Sequence, residues 1–274
     1  MSWLGRPASD TQITHGGRLW LYGVAGLIIL FLIIPTLIVI PMSFSDSQYL
    51  EFPPRNWSDR WYRNYFDSRE WMTATWVSIK AAFLTVGVVT PIATMAAYGL
   101  YVSNLKAARY IFVLLITPMM VPVILIAIGV FFAYTRLNLN NTMFGLVLAH
   151  SVLALPMSFI VISSGLRSYD MNQERVARSL GASRLKAFLV ITLPQIRFSV
   201  VTGALLAFIV SFDEVIVALF ISGGNMSTIT RSMFLALRDQ IDPTIASIST
   251  IMIMITSVAL IIAQVFGKSV EQKF

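Results

Sequence analysis

The stretch SFDEV sets two carboxylates, Asp213 and Glu214, inside an apolar run from residue 199 to 222. Asp213 lies about 21 Å along a helix that begins at Ser199, so both acids fall near or just beyond the middle of a bilayer. A carboxylate there costs several kcal/mol unless it faces water or meets a cation. Two kinds of cation fit. One is an organic ammonium passing through, which the face of Phe212 or Phe208 would also attract. The other is a fixed partner such as Lys80, which sits at comparable depth in another apolar run, or a neighbouring subunit. Adjacent residues of a helix point about 100° apart, so one carboxylate can line a path while the other pairs elsewhere. Ser211 offers packing, capping or a solute contact, and His150 a helix–helix hydrogen bond. Hydrolytic chemistry has no support: there is no Gly-x-Ser-x-Gly, no His-Glu-x-x-His and no cysteine, and His15 and His150 are far apart. No Gly-x-x-x-x-Gly-Lys occurs either, so the chain has no phosphate-binding loop of its own.

The elements that hold these residues are membrane helices. Only 12% of the 274 residues are charged and 57% are apolar, against about 25% charged in soluble domains. Six segments reach the roughly 20 apolar residues a span needs: 18–42, 74–101, 110–134, 143–165, 199–222 and 244–266. The first is too long for a signal-peptide core and no small-residue cleavage site follows, so it is expected to remain as a helix. Pro91, Pro118, Pro122 and Pro156 are expected inside helices, which membrane proteins tolerate. The expected fold is all-α, a six-helix transmembrane bundle over 18–266 with tails at 1–17 and 267–274. Twelve of the twenty Lys and Arg lie on the side that holds both termini and seven on the other, which predicts cytoplasmic termini. That bias accounts for the net charge of +7 without nucleic acid. The outer segment FPPRNWSDRWYRNYFDSREW carries Trp57, Trp61, Tyr62 and Tyr65, suited to an interfacial belt or to an external partner.

The largest inner loop, about 166–198, contains ERVARSLGASRLKAFLVITLP. Asp170 and Asn172 can cap a helix whose first turn holds Gln173 and Glu174, where the helix dipole favours acceptors. Val176 and Leu180 share a face beside Ala177, with Arg175, Arg178 and Ser179 around the rest, giving a short amphipathic helix. Gly181 suits its left-handed end. Ser183 can cap a second helix running to Leu193-Pro194. A connector governed by charge bias alone explains the basic residues, but not Gly-Ala-Ser at this spacing or the Leu-Pro that closes the loop.

This pattern resembles the EAA loop of permease subunits of ABC importers: Glu-Ala-Ala, three residues, Gly-Ala, then Phe and Leu-Pro. Here it reads Arg175-Val176-Ala177, Arg178-Ser179-Leu180, Gly181-Ala182-Ser183, Phe188 and Leu193-Pro194. Arg175 stands where the family usually has its first glutamate, with Glu174 adjacent, and Phe198 where a proline is common. The resemblance covers about residues 70–265 and places the loop, as in the family, between the fourth and fifth of six spans. It implies the type I importer permease fold, in a bacterial inner membrane. Glu174, Arg175, Val176, Ala177, Arg178, Leu180, Gly181, Ala182, Ser183, Phe188, Leu193 and Pro194 would then form the coupling site for a cytoplasmic ATP-binding subunit. It implies no cofactor in this chain, with ATP and Mg used by two partner ATPase subunits, and also a second permease subunit and an extracytoplasmic solute-binding protein.

SFDE followed by ISGG, together with IDPTIASIST from Ile241 to Thr250, resembles permeases of polyamine importers of the spermidine and putrescine class. That likeness implies a cationic amine cargo, Ser211, Phe212, Asp213 and Glu214 as path residues, and a homologue as the second permease. Two other readings stay open: an ABC importer of another organic solute, opine-like or amino-acid-derived, and a proton-coupled carrier using Asp213 and Glu214.

Overall fold

The structure is a computed structural model that describes residues 14–103, 106–239 and 242–271, with side chains as far as residue 257. Most of the expected tails 1–17 and 267–274, and Ile241 of the IDPTIASIST stretch, therefore lie outside the described residues and side chains. In chain order the helices are α1 (Leu19–Met42), α2 (Arg60–Asp67), α3 (Arg69–Val102), α4 (Ala108–Ile116), α5 (Val123–Leu137), α6 (Met143–Arg167), α7 (Asn172–Ser179), α8 (Arg184–Ala187), α9 (Leu193–Gln195), α10 (Arg197–Phe212), α11 (Ile216–Ile221), α12 (Ile229–Asp239) and α13 (Thr244–Glu271). No strand occurs among the described residues.

Three helical segments are long and apolar enough to cross a membrane: Gly16–Met42, Arg69–Val102 and Met143–Arg167. The third and fifth expected spans are not single helices. Ala108–Met120 meets Val123–Leu137 at 98°, and the fifth, 199–222, breaks after Phe212 and resumes at Ile216; ahead of it the loop helix Arg184–Gln195 meets Arg197–Phe212 at 78°, and counting each bent pair as one span brings the total to five. The last expected span, 244–266, is apolar over its described part, Thr244–Ser257. Pro91 and Pro156 stay within α3 and α6 as expected. At Pro122 the expectation fails: Val121 is extended, ψ 132°, because the proline ring crowds the preceding residue out of the helical region.

The chain forms two compact units, residues 68–235 and residues 1–67 with 236–274. In the larger, α3, α6 and α10 pack on one another along their lengths. Small residues let them approach: Ala81, Ala82, Ala93, Ala154 and Ala207 are fully buried. Lipid supplies no hydrophobic drive between helices, so such close contact and interhelical hydrogen bonds must hold them. At Gly203 a Cβ would sit 3.0 Å from Ile162 and 3.3 Å from the Ser158 carbonyl oxygen, and the Ser158 hydroxyl donates to the Gly203 carbonyl at 2.7 Å. One apolar cluster gathers Val77, Tyr134, Leu146, Val217 and Ile221; another gathers Phe159, Ile162, Leu166 and Ile196. Ser68 and Thr142 cap α3 and α6, accepting from the amides of Trp71 and Gly145 at 3.4 and 3.0 Å.

In the smaller unit α1 and α2 each pack on α13. Asn64 donates to the Thr244 hydroxyl at 2.8 Å and Ser247 to the Trp61 carbonyl at 3.2 Å. The aromatic outer segment divides accordingly. Trp61 and Tyr65 are buried in this packing, whereas Trp57 is exposed.

Candidate functional site

Asp213 and Glu214 do not share a continuous helix. The last turn of α10 closes with the Asp213 amide on the Ile209 carbonyl at 2.9 Å, and helix resumes at Ile216. The break creates a new helix N-terminus with unpaired amides and a positive dipole end, and an acid can satisfy both. Glu214 does so: its Oε1 accepts from the Val217 amide at 2.8 Å, while its carbonyl accepts from the Thr230 hydroxyl at 3.0 Å. The Asp213 side chain is exposed and bonds to nothing among the described residues. Lys80 is also exposed and meets neither acid; the ion pairs among the described residues are Arg63–Asp59 and Arg238–Asp239.

Ser211 is a packing residue. It is buried with Thr85 and fully buried His150, its hydroxyl 2.9 Å from His150 Nδ1 and 3.3 Å from Thr85 Oγ1, so α3, α6 and α10 are pinned together one turn before the break. His150 thus makes the helix–helix hydrogen bond expected of it. Phe212 stacks on Phe208, centroids 5.6 Å apart and planes 10° apart, and Phe208 meets the edge of Phe83 at 5.2 Å. A row of three rings therefore leads to the free carboxylate. The i, i+4 spacing of Phe208 and Phe212 was visible in the sequence. Phe83 and Thr85, on a distant helix, carried no signal.

The loop forms the expected helix, turn and helix. The expected cap by Asp170 or Asn172 is replaced: Met171 takes the N-cap position of α7 without a side-chain bond, Asn172 is the first helical residue, and Asp170 Oδ1 accepts from the Asn172 amide at 3.0 Å in the turn just ahead. Gly181 has φ +91°, and the amides of Gly181 and Ala182 reach back to the carbonyls of Arg178 and Ala177 at 3.0 and 3.1 Å. This Schellman arrangement requires the left-handed residue that glycine supplies. Ser183 caps α8 through the Lys186 amide at 3.3 Å. The second helix runs to Leu193-Pro194 as expected, ending at Gln195, but it passes through a π-turn over Phe188–Thr192 that was not expected. A proline ring crowds the carbonyl four residues earlier, here Val190, and the wider π-turn lies where that crowding falls.

The orientation of α7 is the reverse of a self-sufficient amphipathic helix. Val176 and Leu180 are 58% and 84% exposed, and Leu185 just beyond is 67% exposed. Arg175, Arg178, Ser183 and Pro194 are exposed too, while Ala177, Ala182, Phe188 and Leu193 are half-buried. Glu174 is the residue of α7 that turns inward, 2% exposed; its Oε1 accepts from the Tyr98 hydroxyl at 2.6 Å and its Oε2 from the Thr192 hydroxyl at 2.5 Å.

The sequence from residue 89 to 274 matches the family described as binding-protein-dependent transport system inner membrane component. The chain belongs to this family. It is therefore a permease, a translocation-pathway subunit of an ABC importer, and not an enzyme; ATP hydrolysis belongs to a separate subunit. It is 27% identical to the spermidine/putrescine transport system permease protein PotC of Haemophilus influenzae, over 87% of this chain and 92% of that one. It is 30% identical to the putrescine transport system permease protein PotI of Escherichia coli, over 81% of this chain and 82% of that one. Its fold matches the crystal structure of a bacterial ABC transporter involved in the import of the acidic polysaccharide alginate, with a TM-score of 0.68 at 15% identity, over 97% of this chain and 100% of the other. This family membership agrees with the likeness drawn from the inner loop, and it establishes an inner-membrane component with an all-α fold.

Proposed function

We propose that the chain forms one half of the pathway of an ATP-driven importer for a polyamine, with its termini and the α7 loop in the cytoplasm. The outward apolar face of α7 carries the coupling part of this reading. Val176, Leu180 and Leu185 gain nothing in water, and a capped helix that presents them suits a groove on an ATP-binding subunit. Arg175 and Arg178, exposed on the same short helix, would meet acidic groups at the rim of that groove. Two ATPase subunits, using ATP and Mg, would move this knob and the one on a second, homologous permease together. A solute-binding protein would deliver cargo to the outer side.

The cargo reading rests on Asp213. An exposed carboxylate at a helix break, next in sequence to Phe212 at the end of the row of Phe83, Phe208 and Phe212, suits an ammonium group better than an anion. The names of the relatives point the same way. The test is uptake by proteoliposomes holding the complete transporter and its binding protein. Spermidine or putrescine should accumulate only with ATP and loaded binding protein. Uptake driven by a proton gradient alone would replace the importer reading with a secondary carrier; ATP-driven uptake of a different solute would keep the importer and change the cargo.

A further inference from the structure

Coupling through α7 has a mechanical requirement that its exposed side chains do not meet. Val176, Leu180, Arg175 and Arg178 all point away from the rest of the chain, so they can receive a push but not pass it on. The covalent ends of α7 are turns, at Ser168–Met171 and at Leu180–Ser183. One bond from an α7 side chain to the segment before α10 is at the surface, where exposed Gln173 accepts from Gln195 Nε2 at 3.3 Å. Glu174 is the buried side chain of α7, with both of its oxygens taken. Oε1 is held by Tyr98 at 2.6 Å, in the last two turns of α3, and Oε2 by Thr192 at 2.5 Å, in the π-turn before α10. The Tyr98 ring is further fixed by Phe188, centroids 4.5 Å apart, and by the Arg184 guanidinium 5.8 Å from its centre. These contacts join α7, the segment leading into α10 and the inner end of α3 at one buried carboxylate.

We infer that Glu174 is a positioning residue, the tie through which displacement of the docking helix is passed to α3 and α10, and that it is not itself a contact to the ATPase. The inference rests on the coupling role proposed for α7. It follows from geometry. A carboxylate that is 2% exposed with both oxygens engaged faces the protein interior, and reaching a partner outside would break its bonds to Tyr98 and Thr192. Charge-assisted hydrogen bonds of this length are also stiff in direction, as a tie must be. Phe83 lies midway along α3, and Phe208 and Asp213 stand at the far end of α10, so a pull at Tyr98 and Thr192 acts on the helices that hold the candidate path.

The experiment uses the complete reconstituted transporter with its binding protein, comparing Glu174→Gln, Tyr98→Phe, Thr192→Val and the Glu174→Gln/Tyr98→Phe pair. Three quantities are read: ATPase subunit retained on purification, ATP hydrolysis stimulated by loaded binding protein, and solute taken up per ATP hydrolysed. The tie predicts wild-type retention, with solute per ATP falling about tenfold in Glu174→Gln and Tyr98→Phe, the scale of one charge-assisted hydrogen bond. The double variant should be no worse than the more severe single one. Tyr98→Phe keeps the ring against Phe188 and removes only the hydroxyl, so it carries the test even if Glu174→Gln does not assemble. Loss of the ATPase subunit in Glu174→Gln but not in Tyr98→Phe would overturn the inference in favour of a direct contact. Wild-type solute per ATP in Tyr98→Phe and Thr192→Val would overturn it outright. Failure of the wild-type complex to couple ATP to uptake would instead remove the importer reading on which the tie depends.

Discussion

Replacing Asp213 by Asn separates the two roles that adjacent carboxylates can play. Glu214 is occupied in capping α11 at 2.8 Å, whereas Asp213 is exposed and has no partner among the described residues. A carboxylate and an ammonium about 4 Å apart attract by about 4 kcal/mol at an effective dielectric near 20. Water competing for both groups cancels part of this, and a net loss of about 1.4 to 2.8 kcal/mol corresponds to a 10- to 100-fold slower uptake. The amide has nearly the carboxylate's shape, so the thermal midpoint of the assembled transporter should stay within about 1 °C of wild type, as expected for an exposed change away from packing. Glu214→Gln should do the opposite. The amide oxygen still accepts from Val217, but the charge facing the helix dipole is lost, costing about 0.3–1 kcal/mol of stability with a smaller effect on uptake. Both variants are compared in proteoliposomes with labelled spermidine and putrescine, beside thermal unfolding of the complex. Normal amine uptake by Asp213→Asn would refute the path role and leave this acid to a contact with the second permease.

Four further outcomes follow from other parts of the chain. Gly181→Val places a branched residue at φ +91°, a strain of about 1–2 kcal/mol that unwinds the Schellman end of α7; ATPase stimulation by loaded binding protein should be lost while membrane insertion is unchanged. Leu180→Asp, at a side chain 84% exposed, should leave the permease as stable as before yet reduce co-purification of the ATP-binding subunit. Gly203→Leu forces a side chain where a Cβ already lies 3.0 Å from Ile162, so the purified complex should lose about 1–3 kcal/mol of stability, with Gly203→Ala milder. His150→Leu removes the imidazole bond while the Ser211 hydroxyl keeps Thr85 at 3.3 Å, a cost of about 0.5–1.5 kcal/mol visible as a lower thermal midpoint, and His150→Gln should recover part of it.

The sequence by itself determined the solvent, the helical class and the helix, turn and helix of the loop around Gly181. Apolar runs of about 20 residues have little choice in lipid but to close their own hydrogen bonds as helices. The loop was legible because its parts are local: Ser183 caps α8 three residues on, Asp170 closes a turn onto the Asn172 amide two residues on, and Gly181 takes its left-handed conformation whatever surrounds it. The four prolines showed where local reading ends. The rule that moves Val121 out of the helix is as local as a cap, yet Pro91 and Pro156 obey it in sequence and remain within continuous helices that their neighbours support. What only the tertiary structure decided is direction. Periodicity says that Val176 and Leu180 share a face and that Glu174 lies elsewhere, but not which face turns inward. That depends on Tyr98 and Thr192 arriving beside Glu174 from 76 residues before and 18 after. The same holds for SFDEV: two acids in an apolar run raise one question of compensation, and its answer lies with Val217 and Thr230, whose hydrogen bonds exist only once the helix has broken and α12 has folded back to Glu214. Spacing along a chain sets which side chains share a face, whereas burial and pairing are set by the other helices that come to meet it.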